Sequence, residues 1–214
     1  MERIICLLIG YACGLLQTGY LVGKLNHTDI RKSGSGNAGS TNAVRVLGWK
    51  AGILTFAGDV LKCVAAIFIV RYLYKESSFL PLLCMYAGIG TTLGHNFPFY
   101  LHFNGGKGIA VLAGLVLSFN PLMVPIPLTA FLIAAIFTRY VSLGSLLASS
   151  TFFLEVLVFG ALGEFNMTAP YRYELYIVVL LLTILAWFRH KENIKRLLAS
   201  TENKFGSGGK KTAE

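Results

Sequence analysis

Charged residues are scarce in this sequence, and hydrophobic residues are abundant. Asp, Glu, Lys and Arg make up 14% of the 214 residues, whereas 55% belong to the hydrophobic set. A soluble domain of this length needs more polar surface than that. The composition therefore excludes a water-soluble globular protein and indicates an all-α, polytopic integral membrane protein.

Cysteine is also sparse, and its positions exclude two further classes of protein. All four cysteines lie inside apolar runs, and no two of them have C-x-x-C spacing: Cys6, Cys13, Cys63 and Cys84. This pattern excludes a disulfide framework and a cysteine-ligated metal site. We expect the four thiols to pack as small buried hydrophobic groups.

Acidic residues are fewer than basic ones, 10 against 19, which gives a net charge of +9. The basic residues sit in short loops and in the C-terminal tail, which favours membrane topology over nucleic-acid binding. The sequence has no internal repeat and no separate soluble domain. Its first apolar run also lacks a clear cleavage site, so we predict an uncleaved span there.

Seven apolar runs are predicted to cross the membrane. They cover residues 4–25, 51–70, 79–97, 108–119, 122–138, 141–162 and 173–188. We expect residues 1–202 to form a single membrane domain, and the polar residues 203–214 to form a disordered tail.

The number of passes depends on residues 108–138, which Asn120-Pro121 interrupts. Counted as two passes, the chain has its N-terminus outside and most of its 19 Lys and Arg residues in inside loops. Counted as one pass, it places the basic C-terminus outside, against the positive-inside rule. We therefore predict seven transmembrane helices, a cytoplasmic C-terminus, and all the polar glycine-rich loops on the cytoplasmic side.

Residues 34–45 form the first of these loops, with the sequence Gly-Ser-Gly-Asn-Ala-Gly-Ser-Thr-Asn-Ala-Val-Arg. Glycines let successive backbone N–H groups turn toward one point. Ser35, Asn37 and Asn42 add side-chain donors. Arg45 adds a planar fork that suits phosphate. A flexible linker is the alternative, but a linker needs neither two Asn nor an Arg, so we predict an anion-binding loop.

A second glycine-rich loop, Gly105-Gly106-Lys107-Gly108, comes directly before the fourth apolar run. The first N–H groups of a helix are unpaired and attract anions, and glycines let the backbone come close to a ligand. Lys107 adds a point charge. The spacing is not that of a Walker A loop. The alternative is a glycine-rich turn with a topological lysine; together with the first loop, the pattern favours phosphate binding.

The third polar element, Arg189 to Arg196, follows the last apolar run. A basic stop signal that binds anionic headgroups explains its cations. It does not explain His190 and Asn193, which we interpret as site residues. Ser142 lies at the predicted cytoplasmic start of the sixth run and is a further candidate hydrogen-bond donor to phosphate.

Two charged residues, Asp59 and Lys62, lie three positions apart within the second run. Charges at this depth are costly and are usually paired or functional, and we favour a structural ion pair over a direct substrate role. Glu155 is a lone intramembrane carboxylate without an assigned role. His95 and His102 flank an aromatic cluster, and we interpret both as interfacial anchors.

These motifs resemble, in order and over nearly the whole chain, those of the bacterial acyl-phosphate:glycerol-3-phosphate acyltransferases, the PlsY family. The matching residues are Gly34-Ser-Gly-Asn-x-Gly-x-Thr-Asn42 with Arg45, Gly94-His-x-Phe-Pro98, Gly105-Gly-Lys-Gly108, Arg139-Tyr-Val-Ser142 and Arg189-His-x-Glu-Asn193. The sequence departs from the family pattern at Ala38, where Pro is common. It also departs at Ala199-Ser-Thr-Glu202, where Gly-Thr-Glu is common. The second departure retains Glu202, to which we assign a structural role.

The resemblance implies an enzyme of the bacterial inner membrane whose active site faces the cytoplasm. It implies transfer of a fatty acyl group from acyl phosphate to the 1-hydroxyl of glycerol 3-phosphate, which gives lysophosphatidic acid and phosphate. It also implies that Ser35, Arg45, Lys107, His190 and Asn193 line the pocket. Since acyl phosphate is already activated, no metal ion or other cofactor is expected. A soluble enzyme that forms acyl phosphate is a candidate partner.

Three questions about function stay open at this level. The proton acceptor is either His190 or the phosphate of glycerol 3-phosphate, and we favour the phosphate, whose second pKa is about 6. An acyl-enzyme on Ser35 is less favoured, because no base lies beside it in sequence. The alternative function is a transporter for a phosphorylated solute, which intramembrane charges and proline-broken spans would suit.

Overall fold

The computed structural model describes residues 1–206, and in that part of the chain ten α-helices account for the apolar runs and two of the loops. The helices are α1 (Glu2–Gly14), α2 (Thr18–Leu25), α3 (Ser40–Leu47), α4 (Trp49–Leu73), α5 (Leu80–Asn96), α6 (Ile109–Phe119), α7 (Pro125–Thr138), α8 (Val141–Ala161), α9 (Ala169–Arg189) and α10 (Lys191–Leu198). Short 3₁₀ turns cover Ile30–Lys32, Phe99–Leu101 and Pro121–Met123.

Five segments are long and apolar enough to cross a membrane: Glu2–Leu25, Trp49–Leu73, Pro121–Thr138, Val141–Ala161 and Ala169–Arg189. The other two predicted spans form shorter helices, α5 with 17 residues and α6 with 11. The predicted interruption at Asn120-Pro121 is confirmed, since α6 ends at Phe119 and the Asn120 side chain accepts the Leu122 N–H at 3.0 Å. The chain is thus an all-helical membrane protein.

The first apolar run contains a break that hydropathy did not predict. Helix α1 ends at Gly14 and α2 begins at Thr18, with Gln17 between them. The Gln17 amide is buried, and its Nε2 donates to the carbonyls of Gly14 (3.1 Å), Gly94 (3.2 Å) and His95 (3.1 Å). The Gln17 side chain thus donates to one carbonyl at the end of α1 and links the bend in the chain to the C-terminal end of α5.

Helices α1 and α5 pack closely through small residues. The sequences Gly10-x-x-x-Gly14 and Gly90-x-x-x-Gly94 face each other. A Cβ added to Gly14 would overlap the Thr91 carbonyl, and one added to Gly94 would overlap the Tyr11 carbonyl. This backbone contact is the small-xxx-small packing of membrane helices, and it holds the C-terminal end of α5 in place.

Helix α5 lies at the centre of the bundle, in contact with α1, α4, α6 and α9, whereas α7 packs mainly on α8. The expectation that the thiols pack as small buried groups is confirmed for Cys6, Cys63 and Cys84, whereas Cys13 is partly exposed. The short helices α3 and α10 pack on the ends of the long ones: α3 contacts α4, and α10 contacts α8 and α9. These two helices carry the first and third polar motifs.

The chain beyond α10 returns toward the bundle. The Phe205 N–H donates to the Arg139 carbonyl at 2.8 Å, and the Phe205 ring meets the Trp49 ring edge-on with centroids 5.6 Å apart. The predicted disordered tail spans residues 203–214; Phe205 within it makes these two contacts, and residues 207–214 lie outside the described residues. The extent of the single domain stays a prediction.

Candidate active site

A single cavity of about 690 Å³ collects side chains from all three polar motifs. All but three of the predicted site residues line it: Ser35, Asn37, Asn42, Arg45, Asp59, Lys107, Gly108, Ser142, His190, Asn193 and Glu202. The three that do not are Gly105, Gly106 and Lys62. The cavity continues from these polar groups into an apolar part lined by Ile53 and Phe56 of α4 and by Leu132 and Ile136 of α7.

Asn42 organises the first loop. Its Oδ1 accepts the Ser35 N–H at 2.8 Å. Its Nδ2 donates to the carbonyls of Ile30 (2.7 Å), Ser33 (3.1 Å) and Asn37 (2.9 Å). These bonds use the amide fully, so Asn42 shapes the loop rather than offering a free donor, although it was predicted as a phosphate ligand.

Three other residues of the first motif are better placed to meet a ligand. Ser35, Asn37 and Arg45 line the cavity, and Arg45 reaches it from the last turn of α3. The Arg45 guanidinium makes one weak contact with the Asn203 carbonyl, at 3.4 Å. Burial lowers the pKa of Arg45 from its usual value, but arginine stays protonated at any physiological pH. Its charge is therefore available to an anion.

The second loop is held from both sides. The N–H groups of Gly105 and Gly106 donate to the carbonyls of Asn96 (3.2 Å) and His95 (3.1 Å). Arg189 Nη2 donates to the Gly105 carbonyl at 3.2 Å and to the Gly106 carbonyl at 2.8 Å. The two glycine N–H groups are thus committed to α5, although we predicted them as phosphate ligands. Arg189, interpreted as part of a stop signal, fixes the loop.

Lys107 and Gly108 are the members of this loop that reach the cavity. Gly108 has a φ of +85°, which favours glycine, and α6 starts directly after it. Unpaired N–H groups at the start of a helix attract an anion. The Lys107 ammonium lies beside them, and burial lowers its pKa to about 8. The anion-binding part of the motif is therefore its second half.

Glu202 is the hub of the third motif. Its Oε1 accepts from Asn193 Nδ2 at 2.7 Å and from Ser142 Oγ at 3.1 Å, and its Oε2 accepts from Arg196 Nε at 2.7 Å. Because Asn193 donates to Glu202, its Oδ1 turns the other way and accepts a hydrogen bond from Lys107. The Glu202 carboxylate thus orients two predicted site groups, the Asn193 amide and the Ser142 hydroxyl. The hydrogen of the Ser142 hydroxyl is donated to Glu202 and is not free for a ligand.

His190 lies at the junction of α9 and α10, 3% exposed, and lines the cavity. Its Nδ1 is 2.8 Å from the Ala186 carbonyl. A carbonyl only accepts, so Nδ1 carries the hydrogen and Nε2 is left as an acceptor. Burial, with the nearby Lys107 charge, lowers the His190 pKa to about 4. The imidazole is therefore neutral at physiological pH.

The intramembrane ion pair extends to a third residue. Lys62 Nζ lies 2.7 Å from Asp59 Oδ1 and 2.8 Å from His95 Nδ1. The interpretation of His95 as an interfacial anchor is wrong, because it is 3% exposed and lines the cavity beside Asp59. The sequence contained only one signal for this cluster, the cost of charges at that depth. His102 is exposed.

Known proteins share both the sequence and the shape of this chain. A family model described as Glycerol-3-phosphate acyltransferase matches residues 4–200. The glycerol-3-phosphate acyltransferase of Thermoanaerobacter pseudethanolicus is 42% identical over 207 residues, which cover 96% of this chain and 97% of the relative. This chain belongs to the glycerol-3-phosphate acyltransferase family. Another family member, from Clostridioides difficile, is 41% identical over 95% of each chain.

The fold agrees with that of solved family members. The crystal structure of PlsY (YgiH), an integral membrane glycerol 3-phosphate acyltransferase, in its glycerol 3-phosphate form superposes with a TM-score of 0.83. The lysophosphatidic acid form gives 0.81, and each comparison covers 97% of both chains at 31% identity. The resemblance to the PlsY family is thus confirmed. Because the chain belongs to a glycerol-3-phosphate acyltransferase family, its function is that of an acyltransferase and not the alternative, a transporter for a phosphorylated solute.

Proposed function

We propose that this acyltransferase moves a fatty acyl group from acyl phosphate to the 1-hydroxyl of sn-glycerol 3-phosphate. The products are lysophosphatidic acid and inorganic phosphate. One observation carries the proposal: cations and hydrogen-bond donors from three distant loops meet in one cavity that continues into an apolar groove. Both proposed substrates carry phosphate, which suits the cationic end. The acyl chain suits the apolar end, where each buried CH₂ contributes about 0.8 kcal/mol.

The groove gives the acyl chain a route from the membrane. Four apolar residues that line the cavity are also exposed by between 43% and 68%: Ile53, Phe56, Leu132 and Ile136. In a membrane protein such apolar surface faces lipid. The acyl donor therefore reaches its site sideways from the bilayer, and the product leaves by the same route. Glycerol 3-phosphate enters from water at the polar end.

The reaction balances with one proton transfer. The 1-hydroxyl oxygen attacks the acyl carbonyl carbon, the bond to the phosphate oxygen breaks, and phosphate leaves with the electron pair. The hydroxyl proton passes to the phosphate of glycerol 3-phosphate, whose second pKa is about 6. This group is a stronger base than His190, whose pKa is about 4. His190 Nε2 accepts a hydrogen bond from the 2-hydroxyl and orients the substrate, so the proton of the 1-hydroxyl stays free to pass to the phosphate.

Direct transfer is favoured over an acyl-enzyme on Ser35. Among residues 1–206, Ser35 Oγ has no hydrogen bond to a base, and the loop is ordered through the Ser35 backbone N–H. A serine without an adjacent base is a weak nucleophile. Mass spectrometry of enzyme incubated with acyl phosphate alone tests this step. An unmodified Ser35 peptide supports direct transfer, and an acylated one overturns it.

The activity is tested with purified enzyme in detergent. Acyl phosphate plus glycerol 3-phosphate should release inorganic phosphate and form lysophosphatidic acid, with no release when either substrate is omitted. A solute transporter needs a sealed vesicle for its activity, so phosphate release in micelles distinguishes the two functions. Intact substrates after incubation with folded enzyme contradict the proposal. Phosphate release without lysophosphatidic acid also contradicts it.

The proposed topology has seven spans, an outside N-terminus and an active site facing the cytoplasm of a bacterial inner membrane. Support comes from the distribution of basic residues and from the single cavity that the three loops share. Single cysteines at the exposed positions Lys32 and Lys191, in a chain whose native cysteines are replaced by serine or alanine, should react with a membrane-impermeant thiol reagent only from the inside. A cysteine at exposed Lys75 is the control and should react from outside. Reaction of the first two from opposite sides contradicts this topology.

A further inference from the structure

A buried ammonium group, that of Lys62, makes three hydrogen bonds. Its Nζ lies 2.7 Å from Asp59 Oδ1, 2.7 Å from the Leu16 carbonyl and 2.8 Å from His95 Nδ1. An ammonium has three N–H groups and no acceptor. All three are therefore used, and each of the three partners acts as an acceptor.

The hydrogen bond from Lys62 determines the tautomer of His95. Because Nδ1 accepts from the ammonium, it carries no hydrogen, and a neutral imidazole then carries its hydrogen on Nε2. The competing acceptor for a hydrogen on Nδ1 is Asp59 Oδ1, which is 3.6 Å away. That distance is too long for a hydrogen bond. The Nε2–H form is the one that satisfies every group in the cluster.

The Nε2 edge of the ring faces the second loop. A Cβ added to Gly106 would overlap His95 Nε2, so this edge lies directly against the residue that precedes Lys107. His95 also lines the cavity. Within residues 1–206, the hydrogen bonds of the His95 ring involve Nδ1 and not Nε2. The Nε2–H is therefore a donor on a cavity-lining ring that has no hydrogen-bond partner among the described residues.

The two histidines of the cavity are held in opposite tautomers. His190 donates from Nδ1 to the Ala186 carbonyl and keeps Nε2 as an acceptor. His95 accepts at Nδ1 and keeps Nε2 as a donor. An acceptor suits a substrate hydroxyl, whereas a donor suits an anionic oxygen. The cavity therefore has one imidazole that can accept from a substrate hydroxyl and one that can donate to a phosphate oxygen.

We propose that His95 is a further phosphate-binding residue, whose Nε2–H donates to a phosphate oxygen held beside Lys107. Lys62 and Asp59 are positioning residues that hold His95 in this tautomer. This assignment rests on the proposed function. The phosphate belongs to glycerol 3-phosphate or to acyl phosphate, and the kinetic measurements below separate the two.

The tautomer is tested by ¹⁵N NMR of full-length enzyme labelled on its histidine rings. The chain has four histidines, and the spectrum of His95→Gln assigns the His95 signals. We expect Nε2 to be protonated in the unaltered enzyme, and its resonance to shift when inorganic phosphate is added. In Lys62→Met the hydrogen should move to Nδ1, because Asp59 becomes its nearest acceptor. A wild-type ring protonated on Nδ1, or an Nε2 signal that phosphate leaves unchanged, overturns the assignment.

Kinetics tests the role in binding. Loss of one charged hydrogen bond reduces affinity by about 10- to 100-fold. We expect Lys62→Met to raise by this factor the KM of the substrate whose phosphate His95 binds, with a smaller change in kcat. KM is measured for glycerol 3-phosphate at saturating acyl phosphate. It is then measured for acyl phosphate at saturating glycerol 3-phosphate. His95→Gln, whose amide N–H reaches the position of Nε2, should keep more affinity than His95→Ala.

The matched control breaks an ion pair elsewhere in the same bundle. Glu174 pairs with Arg3, and lies 15 residues before the end of α9 at Arg189, roughly 20 Å along the helix. Glu174→Gln should leave both KM values and the histidine spectra unchanged. Equal KM effects in Glu174→Gln and Lys62→Met, or unchanged KM values in Lys62→Met, overturn the binding role. If the unaltered enzyme forms no lysophosphatidic acid, the proposed function fails, while the NMR spectra still decide the tautomer.

Discussion

Lys107 is a site residue whose pKa the protein environment moves close to the physiological range. Its burial lowers this pKa to about 8, so the free enzyme carries the ammonium below that pH and loses it above. A phosphate ion needs the charged form. The same burial that places the cation against its ligand therefore limits the pH range in which the cation exists.

We predict that kcat/KM for glycerol 3-phosphate falls as the pH rises through about 8, the pKa of Lys107 in the free enzyme. A bound phosphate stabilises the ammonium, so the corresponding fall in kcat should appear at higher pH. Steady-state rates between pH 6 and 10 measure both. In Lys107→Arg the alkaline fall should disappear, because arginine stays charged. An unchanged alkaline fall in that variant contradicts the assignment.

His190 gives a prediction at acidic pH. Its pKa of about 4 leaves it neutral across the usual assay range. A substrate phosphate with a second pKa of about 6 loses its basic form much earlier. If the phosphate accepts the proton, activity should fall as the pH drops through about 6. His190→Gln should lower kcat but keep this fall at the same pH, and loss of the fall in the variant would make His190 the base.

At the scale of elements, the sequence predicted where the helices lie but did not predict how they contact one another. Hydropathy located every long helix, and Asn120-Pro121 located the boundary between α6 and α7. The bend at Gln17 was missed because one polar residue hardly changes the hydropathy of a run. The close packing of α1 on α5 was also missed, since glycine spacing alone does not name the partner helix.

Gly106 shows how one residue of an element acts at the site without contacting the ligand. A methyl group added at Gly106 would overlap His95 Nε2, so the loop must shift away from α5 and carry Lys107 with it. We predict that Gly106→Ala raises the KM for glycerol 3-phosphate first, by about tenfold if one charged contact is weakened. Asn104→Ala, at an exposed position next to the loop that does not line the cavity, is a control for KM. A pure loss of kcat in Gly106→Ala contradicts this account.

At the scale of the whole molecule, the site exists only because distant segments meet. The residue types in the three motifs indicated phosphate, and their predicted position on one side of the membrane indicated convergence. Which groups remain free could not be predicted, because it depends on contacts across the fold. Asn42, Gly105 and Gly106 are committed to protein partners. Asp59, predicted to be structural, and His95, predicted to be an interfacial anchor, both line the cavity.

Glu202 joins α8, α10 and, through Asn193, the second loop. Removing its carboxylate leaves Arg196 and Asn193 without their acceptor. We predict that Glu202→Ala lowers kcat/KM by about 10- to 100-fold and also lowers the thermal midpoint, since one charged hydrogen bond contributes about 1.5–3 kcal/mol. Glu192→Ala, which removes an exposed pair with Lys195, should change both values little. Equal effects of the two substitutions contradict the role of Glu202.

The position of Glu202 also has a consequence for biosynthesis. Ser35 is made early and Glu202 comes after the last long helix, yet both line the same cavity. A growing chain that has inserted α1 to α9 still lacks the carboxylate that orients Asn193 and Arg196. We therefore expect acyl transfer to reach its full rate only after residue 202 has left the ribosome, and a ribosome stalled before that point should leave an inserted protein whose kcat/KM is lowered about 10- to 100-fold.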